Sequence, residues 1–222
     1  MMWKVHNGRR SMSTALVYCG TSDGFVIGAD GRAANPVTKQ VESDTERKIF
    51  TFENETASVV FAWSGAVKAG TSDFVVSLLQ ETHDLLPRLD FNGVSFAEEF
   101  SGRLKDRLRI LRTKDSGKCA TGIFLSYRNG KPWISEICVF KNGSTWDCCV
   151  YAEDSPNGEI DVVSPHPFVP SVFEKPTSLI EATDVIKSYL DDCVAQPTAE
   201  IGGHVHIARF THLGFGWIRP PV

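Results

Sequence analysis

The chain has 222 residues, of which 42% are hydrophobic and 23% are charged, and its formal net charge is −4. This length and apolar content suit one domain with a sizeable core. The weak negative charge gives no reason to expect binding to nucleic acid or to an anionic membrane, and no apolar run is as long as a membrane-spanning helix.

The first thirteen residues carry basic side chains but no apolar segment of the kind found in a secretory signal. We interpret residues 1–13 as a propeptide or a wrongly assigned start, and residues 14–222 as a single domain without repeats. The six cysteines include no Cys-x-x-Cys pair, and adjacent Cys148 and Cys149 would point to opposite faces of a strand. We therefore expect reduced, structural cysteines in a cytoplasmic protein, with no metal and no cofactor.

The first third of the chain predicts two β-hairpins. Residues 14–20 and 25–30 flank a turn that ends in Asp-Gly, and residues 48–53 and 57–63 flank a second short turn. Several of these strands are apolar at consecutive positions, which indicates that both of their faces are covered.

The rest of the chain alternates between helical and strand patterns. Apolar residues recur at helical spacing over about 67–86, and capping-box sequences, Ser95–Glu98 and Ser178–Glu181, predict the starts of two further helices. The third helix is predicted to run to about residue 194. Strands are predicted at about 119–127, 133–140, 145–151 and 201–210. Such segregated blocks of strands and helices favour an α+β fold.

An apolar run ends abruptly on a carboxylate at Asp30, which Gly31 and Arg32 follow. A surface turn is one explanation, because aspartate is a common turn residue. The other is a buried strand end that carries a functional carboxylate. In either case we expect Arg32 to be structural and to tie the turn to a nearby carboxylate.

Five short motifs share one resemblance: Thr14-Ala-Leu-Val, Gly24-Phe-Val-Ile-Gly-Ala-Asp30-Gly-Arg32, Arg47-Lys48-Ile49, Trp63-Ser-Gly65-Ala and Gly202-Gly203. Together they resemble the β-type subunits of the proteasome and their bacterial relatives among the N-terminal nucleophile (Ntn) hydrolases. Thr14 and Asp30 are sixteen positions apart, as in that family. The resemblance implies a four-layer αββα sandwich, with two antiparallel sheets between helix layers.

The resemblance also implies catalytic roles. Thr14 would be the nucleophile, and its free α-amine, if Thr14 were the first residue, would be the base. Lys48 would lower the pKa values of the hydroxyl and the amine, and Asp30 would hold Lys48. The backbone N–H of Gly65 would meet the oxyanion. The implied reaction is cleavage of a peptide bond through an acyl-enzyme.

Two residues are candidates for substrate binding. Trp63 would form part of the pocket wall, with a buried strand aromatic as the alternative interpretation. Lys68 would add a positive charge near the site, with a solvated lysine as the alternative.

Structural support would come from Arg32, Thr198, Gly202 and Gly203. The family's accessory aspartate and serine are replaced by Thr198 and Ile201. His204 and His206 would share one face of a strand, but two histidines alone fall short of the four ligands of a structural zinc site.

The first functional hypothesis is a threonine peptidase in a homo-oligomeric ring, acting on peptides or unfolded proteins with an ATPase unfoldase as partner. The second is a catalytically silent structural subunit, because Arg10-Ser-Met-Ser13 stands where self-processing members carry a glycine before the threonine. A third is an Ntn amidohydrolase of a small non-peptide amide, which would use the same mechanism.

Overall fold

The computed structural model describes residues 14–34, 38–53, 58–65, 77–78, 80–81, 84, 93–110, 117–128, 130–142, 145–153, 159–163, 175–196, 198 and 201–222. In chain order, the elements are β1 (Leu16–Thr21), β2 (Gly24–Asp30), β3 (Ala33–Ala34), β4 (Val41–Ser43), β5 (Ile49–Glu53), β6 (Ser58–Gly65), α1 (Gly93–Ile110), β7 (Gly117–Arg128), β8 (Lys131–Asn142), β9 (Thr145–Glu153), β10 (Glu159–Val163), α2 (Leu179–Ala195), β11 (Val205–Thr211) and β12 (Gly214–Arg219).

The strands form two five-stranded sheets and one small two-stranded sheet. The first sheet has the order β10-β1-β2-β11-β12, the second has the order β5-β6-β7-β8-β9, and β3 pairs with β4. All of these pairings are antiparallel. The mostly antiparallel sheets and the helices between their strands confirm the predicted α+β class.

Both predicted hairpins are present, with β1 joined to β2 and β5 paired with β6. Every residue of β1 and β2 is buried, as their consecutive apolar residues indicate. The sequence patterns missed β3, β4, β10 and β12. In β12, Gly214 and Gly216 interrupt the aromatic residues, and glycine is depleted in strands.

The helices agree with the predictions only in part. Most of the first predicted helix, 67–86, lies outside the described residues, although 77–78 and 80–81 are helical. Helix α1 begins at Gly93, so the prediction that Ser95 caps it is wrong. For α2 the cap is confirmed, because the Ser178 side chain accepts a hydrogen bond from the Glu181 N–H at 3.2 Å. Within the described residues, no helix combines the length and apolarity needed to cross a membrane.

Three buried clusters hold the elements together. One lies between the facing sides of the two large sheets and includes Leu16, Ile27, Ala62, Ile123 and Phe210. A second joins α1 to the second sheet, and a third joins α2 to the first sheet. Alternate residues of a strand face opposite sides, so each sheet contributes to the shared cluster and to the cluster under its helix.

Candidate active site

A buried ion pair lies where β2 ends. The Lys48 Nζ is 3.0 Å from the Asp30 Oδ1, and the two side chains are 3% and 0% exposed. Lys48 also donates a hydrogen bond from Nζ to the Arg32 carbonyl oxygen at 2.6 Å. The Lys48 carbonyl accepts a hydrogen bond from the Trp63 N–H at 3.1 Å, which fixes Lys48 beside β6. The pair therefore links the end of β2, in the first large sheet, to the start of β5, in the second.

Backbone N–H groups surround the Asp30 carboxylate. Its Oδ1 accepts a hydrogen bond from the Ala15 N–H at 2.9 Å. Its Oδ2 accepts from the Gly202 N–H at 3.0 Å and from the Arg32 N–H at 3.3 Å. A carboxylate with this many donors is held in one orientation. The backbone N–H groups therefore fix the orientation in which Asp30 binds Lys48.

Thr14 belongs to the same constellation through the backbone. It directly precedes Ala15, whose N–H binds the carboxylate and whose carbonyl accepts a hydrogen bond from the Asp30 N–H at 3.0 Å. Thr14 is 1% exposed. It lies two residues before Leu16, the first residue of β1. The structure thus brings Thr14, Asp30 and Lys48 to one end of the first sheet.

Burial acts on both charges of the ion pair. It raises the pKa of the Asp30 carboxyl, and the Lys48 ammonium and the Gly202 and Ala15 N–H groups oppose that rise. Burial also lowers the pKa of the Lys48 ammonium, and the Asp30 charge opposes that fall. The charged form of each group is therefore stabilised by the charge of the other.

Arg32 ties the end of β2 to two other segments. Its guanidinium binds the Asp44 carboxylate through Nε at 2.7 Å and Nη2 at 3.2 Å, and this contact lowers the pKa of Asp44. Its Nη1 donates to the Thr198 carbonyl at 2.6 Å. Two parallel bonds to one carboxylate restrict orientation as well as distance, so Arg32 positions the turn that leads to Gly202.

That turn requires its two glycines. A Cβ on Gly202 would lie 2.6 Å from the Arg32 Cζ. Gly203 has φ +75°, and a Cβ there would lie 2.4 Å from the Asp44 carbonyl oxygen. L-residues rarely adopt this backbone region. The turn also uses the hydroxyl of Thr198, which accepts a hydrogen bond from the Ile201 N–H at 2.9 Å.

The other predicted site residues have different surroundings. Gly65 is the last residue of β6 and has φ +131°. Trp63 is buried in the cluster under α1, with ring centroids 5.9 Å from Phe61 and 6.5 Å from Phe100. This is the environment of the buried strand aromatic, and its role as a pocket wall stays a prediction. Lys68 lies outside the described residues.

His206 is a site neighbour whose role the sequence patterns missed. Its side chain is 0% exposed, and neither ring nitrogen has a hydrogen-bond partner among the described residues. Its Nε2 lies 3.0 Å from the position that a Cβ on Gly31 would occupy. Burial, with the charges of His204, Lys48 and Arg47, lowers the pKa of His206 to about 4. The ring is therefore neutral at physiological pH.

The alternation of side chains along β11 could have predicted the face on which His206 lies. His206 shares its parity with Ala208 and Phe210, which face the cluster between the sheets. In the sequence, His206 was considered only together with His204, as a possible pair of metal ligands. Among the described residues, no group of three or more His, Cys, Asp or Glu side chains could hold a metal ion.

Comparison with known proteins finds solved structures that have a similar fold. No protein-family model and no curated protein matches the sequence. A Gly-1 mutant of Anbu from Hyphomicrobium sp. strain MC1 matches with a TM-score of 0.66 and 17% identity, over 93% of this chain and 85% of that chain. Another structure of Anbu from this strain gives 0.62 and 17%, over 92% and 85%. Anbu from Yersinia bercovieri, described as an ancestral β-subunit, gives 0.65 and 15%, over 92% and 87%.

Likeness at this level of identity concerns the fold. The chain has the fold of these Anbu proteins along nearly its whole length. This agrees with the predicted resemblance at the coarse level of a β-subunit-like α+β fold.

Proposed function

We propose that the protein is a proteasome-like threonine peptidase of the Ntn-hydrolase class. One observation carries the proposal: a single buried carboxylate binds both the Lys48 ammonium and the N–H that follows Thr14. That arrangement holds the backbone next to Thr14, an ammonium and a carboxylate at one strand end. The likeness to Anbu supports it at the level of the fold.

Each residue would then have a defined task. The Thr14 hydroxyl attacks the scissile carbonyl, and the α-amine of Thr14, freed by removal of the preceding residues, accepts the hydroxyl proton. The Lys48 ammonium disfavours a second positive charge nearby and so lowers the pKa of that amine. The Gly65 N–H meets the oxyanion. The amine product leaves with the proton, and water hydrolyses the resulting threonine ester.

The finer architecture belongs to the same proposal. We propose a four-layer αββα sandwich, which the three buried clusters support because each joins two adjacent layers. As β-type subunits, copies of the chain would form a homo-oligomeric ring in the cytoplasm. The substrate would be a peptide or an unfolded protein, delivered by an ATPase unfoldase.

A silent structural subunit is the second candidate, and one observation favours it. Where the family carries an accessory serine, this chain has Ile201, which is buried in the cluster with α2. The neighbouring Thr198 hydroxyl accepts the Ile201 N–H. Ile201 carries no polar side-chain group, so the accessory serine has no counterpart at that position.

Hydrolysis of fluorogenic peptides by the purified protein, with intact mass measured on the same sample, tests the proposal. We expect a mass that begins at Thr14, and a loss of rate of about a thousandfold or more in Thr14→Ala, since removing a nucleophile leaves only binding and oxyanion stabilisation. Thr14→Ser should retain measurable activity because it keeps the hydroxyl. Thr211→Ala, in the β11–β12 hairpin, is the matched control and should leave the rate unchanged.

The outcomes separate the candidates. Activity that survives Thr14→Ala would refute the mechanism. A chain that begins at Thr14 but cleaves no peptide and no small amide would favour the silent subunit. Cleavage of small amides without cleavage of peptides would favour the amidohydrolase.

A further inference from the structure

Two cysteines face each other across the edge of the second sheet. In the β8–β9 pairing, Cys138 is directly opposite Cys149, and Glu136 is directly opposite Tyr151 two residues along, on the same face. Directly opposed residues of antiparallel strands have their Cα atoms about 4.5 or 5.5 Å apart and point to the same face. Both separations fall within the range that a disulfide spans.

The two thiols differ in burial and in their polar neighbours. Cys138 is buried, and its Sγ donates a hydrogen bond to the Glu136 Oε1 at 3.1 Å. Cys149 is half-buried on β9, which is the edge strand of the sheet. Tyr151 lies two residues from Cys149 on the same face of β9 and is exposed. One thiol can thus be reached from solvent, while the other has a carboxylate ready to take its proton.

The adjacent Cys148 provides an internal contrast. It points to the opposite face and packs against the cluster under α1. Its register partner is Val139, so no thiol stands opposite it. Burial raises the pKa of the Cys148 thiol to about 11, which suppresses the thiolate that an oxidant would attack.

We propose that Cys138 and Cys149 form an oxidisable dithiol site, whose co-substrate is a hydroperoxide and whose product is an intrachain disulfide. The Cys149 thiolate attacks the distal peroxide oxygen, which yields a sulfenic acid and releases water or an alcohol after protonation. Cys138 passes its proton to Glu136, and its sulfur attacks the Cys149 sulfur. The S–S bond forms, the S–O bond breaks, and hydroxide leaves with that proton as water. Two thiols are oxidised as one peroxide is reduced.

This site is independent of the proposed peptidase. It involves β8 and β9 alone, and none of its four side chains contacts Thr14, Asp30 or Lys48 in the interactions described above. Loss of peptidase activity in a Thr14 variant would leave the prediction for the cysteines unchanged.

Peroxide treatment of the folded protein tests the proposal. Remaining thiols are blocked with N-ethylmaleimide, and the protein is digested with trypsin without reduction. Cleavage after Arg128, Lys141 and Lys187 separates Cys138, in peptide 129–141, from Cys148 and Cys149, in peptide 142–187. We expect these peptides to be joined, with one N-ethylmaleimide on Cys148 and a mass two hydrogens below the sum of the two peptides and this label. Dithiothreitol should separate them again. The link should disappear in Cys138→Ser and Cys149→Ser and persist in Cys148→Ser.

A second probe needs no oxidant. Phenylarsine oxide bridges two neighbouring thiols, so the reduced protein should bind one equivalent, and either Cys138→Ser or Cys149→Ser should lose it. Cys148→Ser should still bind the reagent. A link or an arsenic adduct that depends on Cys148 would overturn the proposal. So would over-oxidation of single cysteines without any linked peptide.

Discussion

Replacing Asp30 by asparagine should destabilise the protein strongly, because it leaves the Lys48 ammonium buried without its carboxylate. The pair is 3.0 Å apart and almost fully buried. Breaking such a pair by removing one partner costs about 3–5 kcal/mol. Asparagine also presents an NH₂ group to the backbone N–H donors that Asp30 accepts from, so we expect a value near the upper end of that range.

Lys48→Met should cost less, about 3 kcal/mol, because the carboxylate keeps the N–H groups of Ala15, Gly202 and Arg32. In the double variant Asp30→Asn/Lys48→Met, no ammonium remains to be left unpaired. Its cost should therefore fall below the sum of the single costs by about 1–3 kcal/mol.

Urea unfolding followed by tryptophan fluorescence measures these free energies of unfolding. The matched control is Asp191→Asn, which removes the partly exposed ion pair with Arg219 at 2.8 Å and should cost less than about 1 kcal/mol. Single costs below that of the control, or strict additivity in the double variant, would refute the view that the two buried charges depend on each other.

Three further predictions concern the surroundings of the ion pair. Gly203→Ala should lower the free energy of unfolding by about 2 kcal/mol or more, because the added Cβ meets the Asp44 carbonyl at a φ of +75°. Thermal unfolding measures this change. The control Gly216→Ala should change the stability little, because nothing lies within 4 Å of its added Cβ. The pKa of His206 is about 4 in the folded protein and about 6.5 in the unfolded chain. Its contribution of about 3 kcal/mol to the free energy of unfolding is therefore present above pH 6.5 and is lost as the pH falls towards 4. His206→Gln should flatten this part of the pH–stability curve, and an unchanged slope would contradict a buried neutral ring. Arg32→Lys should lose about 1 kcal/mol in urea unfolding, because an ammonium cannot make both bonds to Asp44. Full stability would show that the bidentate contact is dispensable.

Much of the fold could be predicted because local patterns are strong. Consecutive apolar residues in Phe25–Ala29 indicate a strand covered on both faces, and β2 lies between β1 and β11 with all its residues buried. The predicted start of α1 is too late in the sequence. Ser95 and Glu98 have the spacing of a capping box, but this spacing also occurs inside a helix that begins earlier, at Gly93. Strand β12 was missed because its stability comes from pairing with β11 rather than from the preferences of its glycines.

The candidate site was predictable in part for a similar reason. Spacing and resemblance selected Asp30 and Lys48, which the structure joins in an ion pair. The resemblance named Gly202 as structural support, but the bond from its N–H to the Asp30 carboxylate could not be inferred, because Gly202 lies 172 residues away in the sequence. The same holds for the approach of His206 to Gly31. Such contacts depend on how the sheets pack, and local sequence does not encode that.

Trapping with a peptide vinyl sulfone, followed by mapping of the adduct by mass spectrometry, tests directly whether Thr14 is an activated nucleophile. We expect one adduct per chain, on a Thr14 that is the first residue. The adduct should be absent in Thr14→Ala and strongly reduced in Lys48→Met. An adduct on another residue, or none on a chain that begins at Thr14, would contradict the assignment of Thr14 as an activated nucleophile.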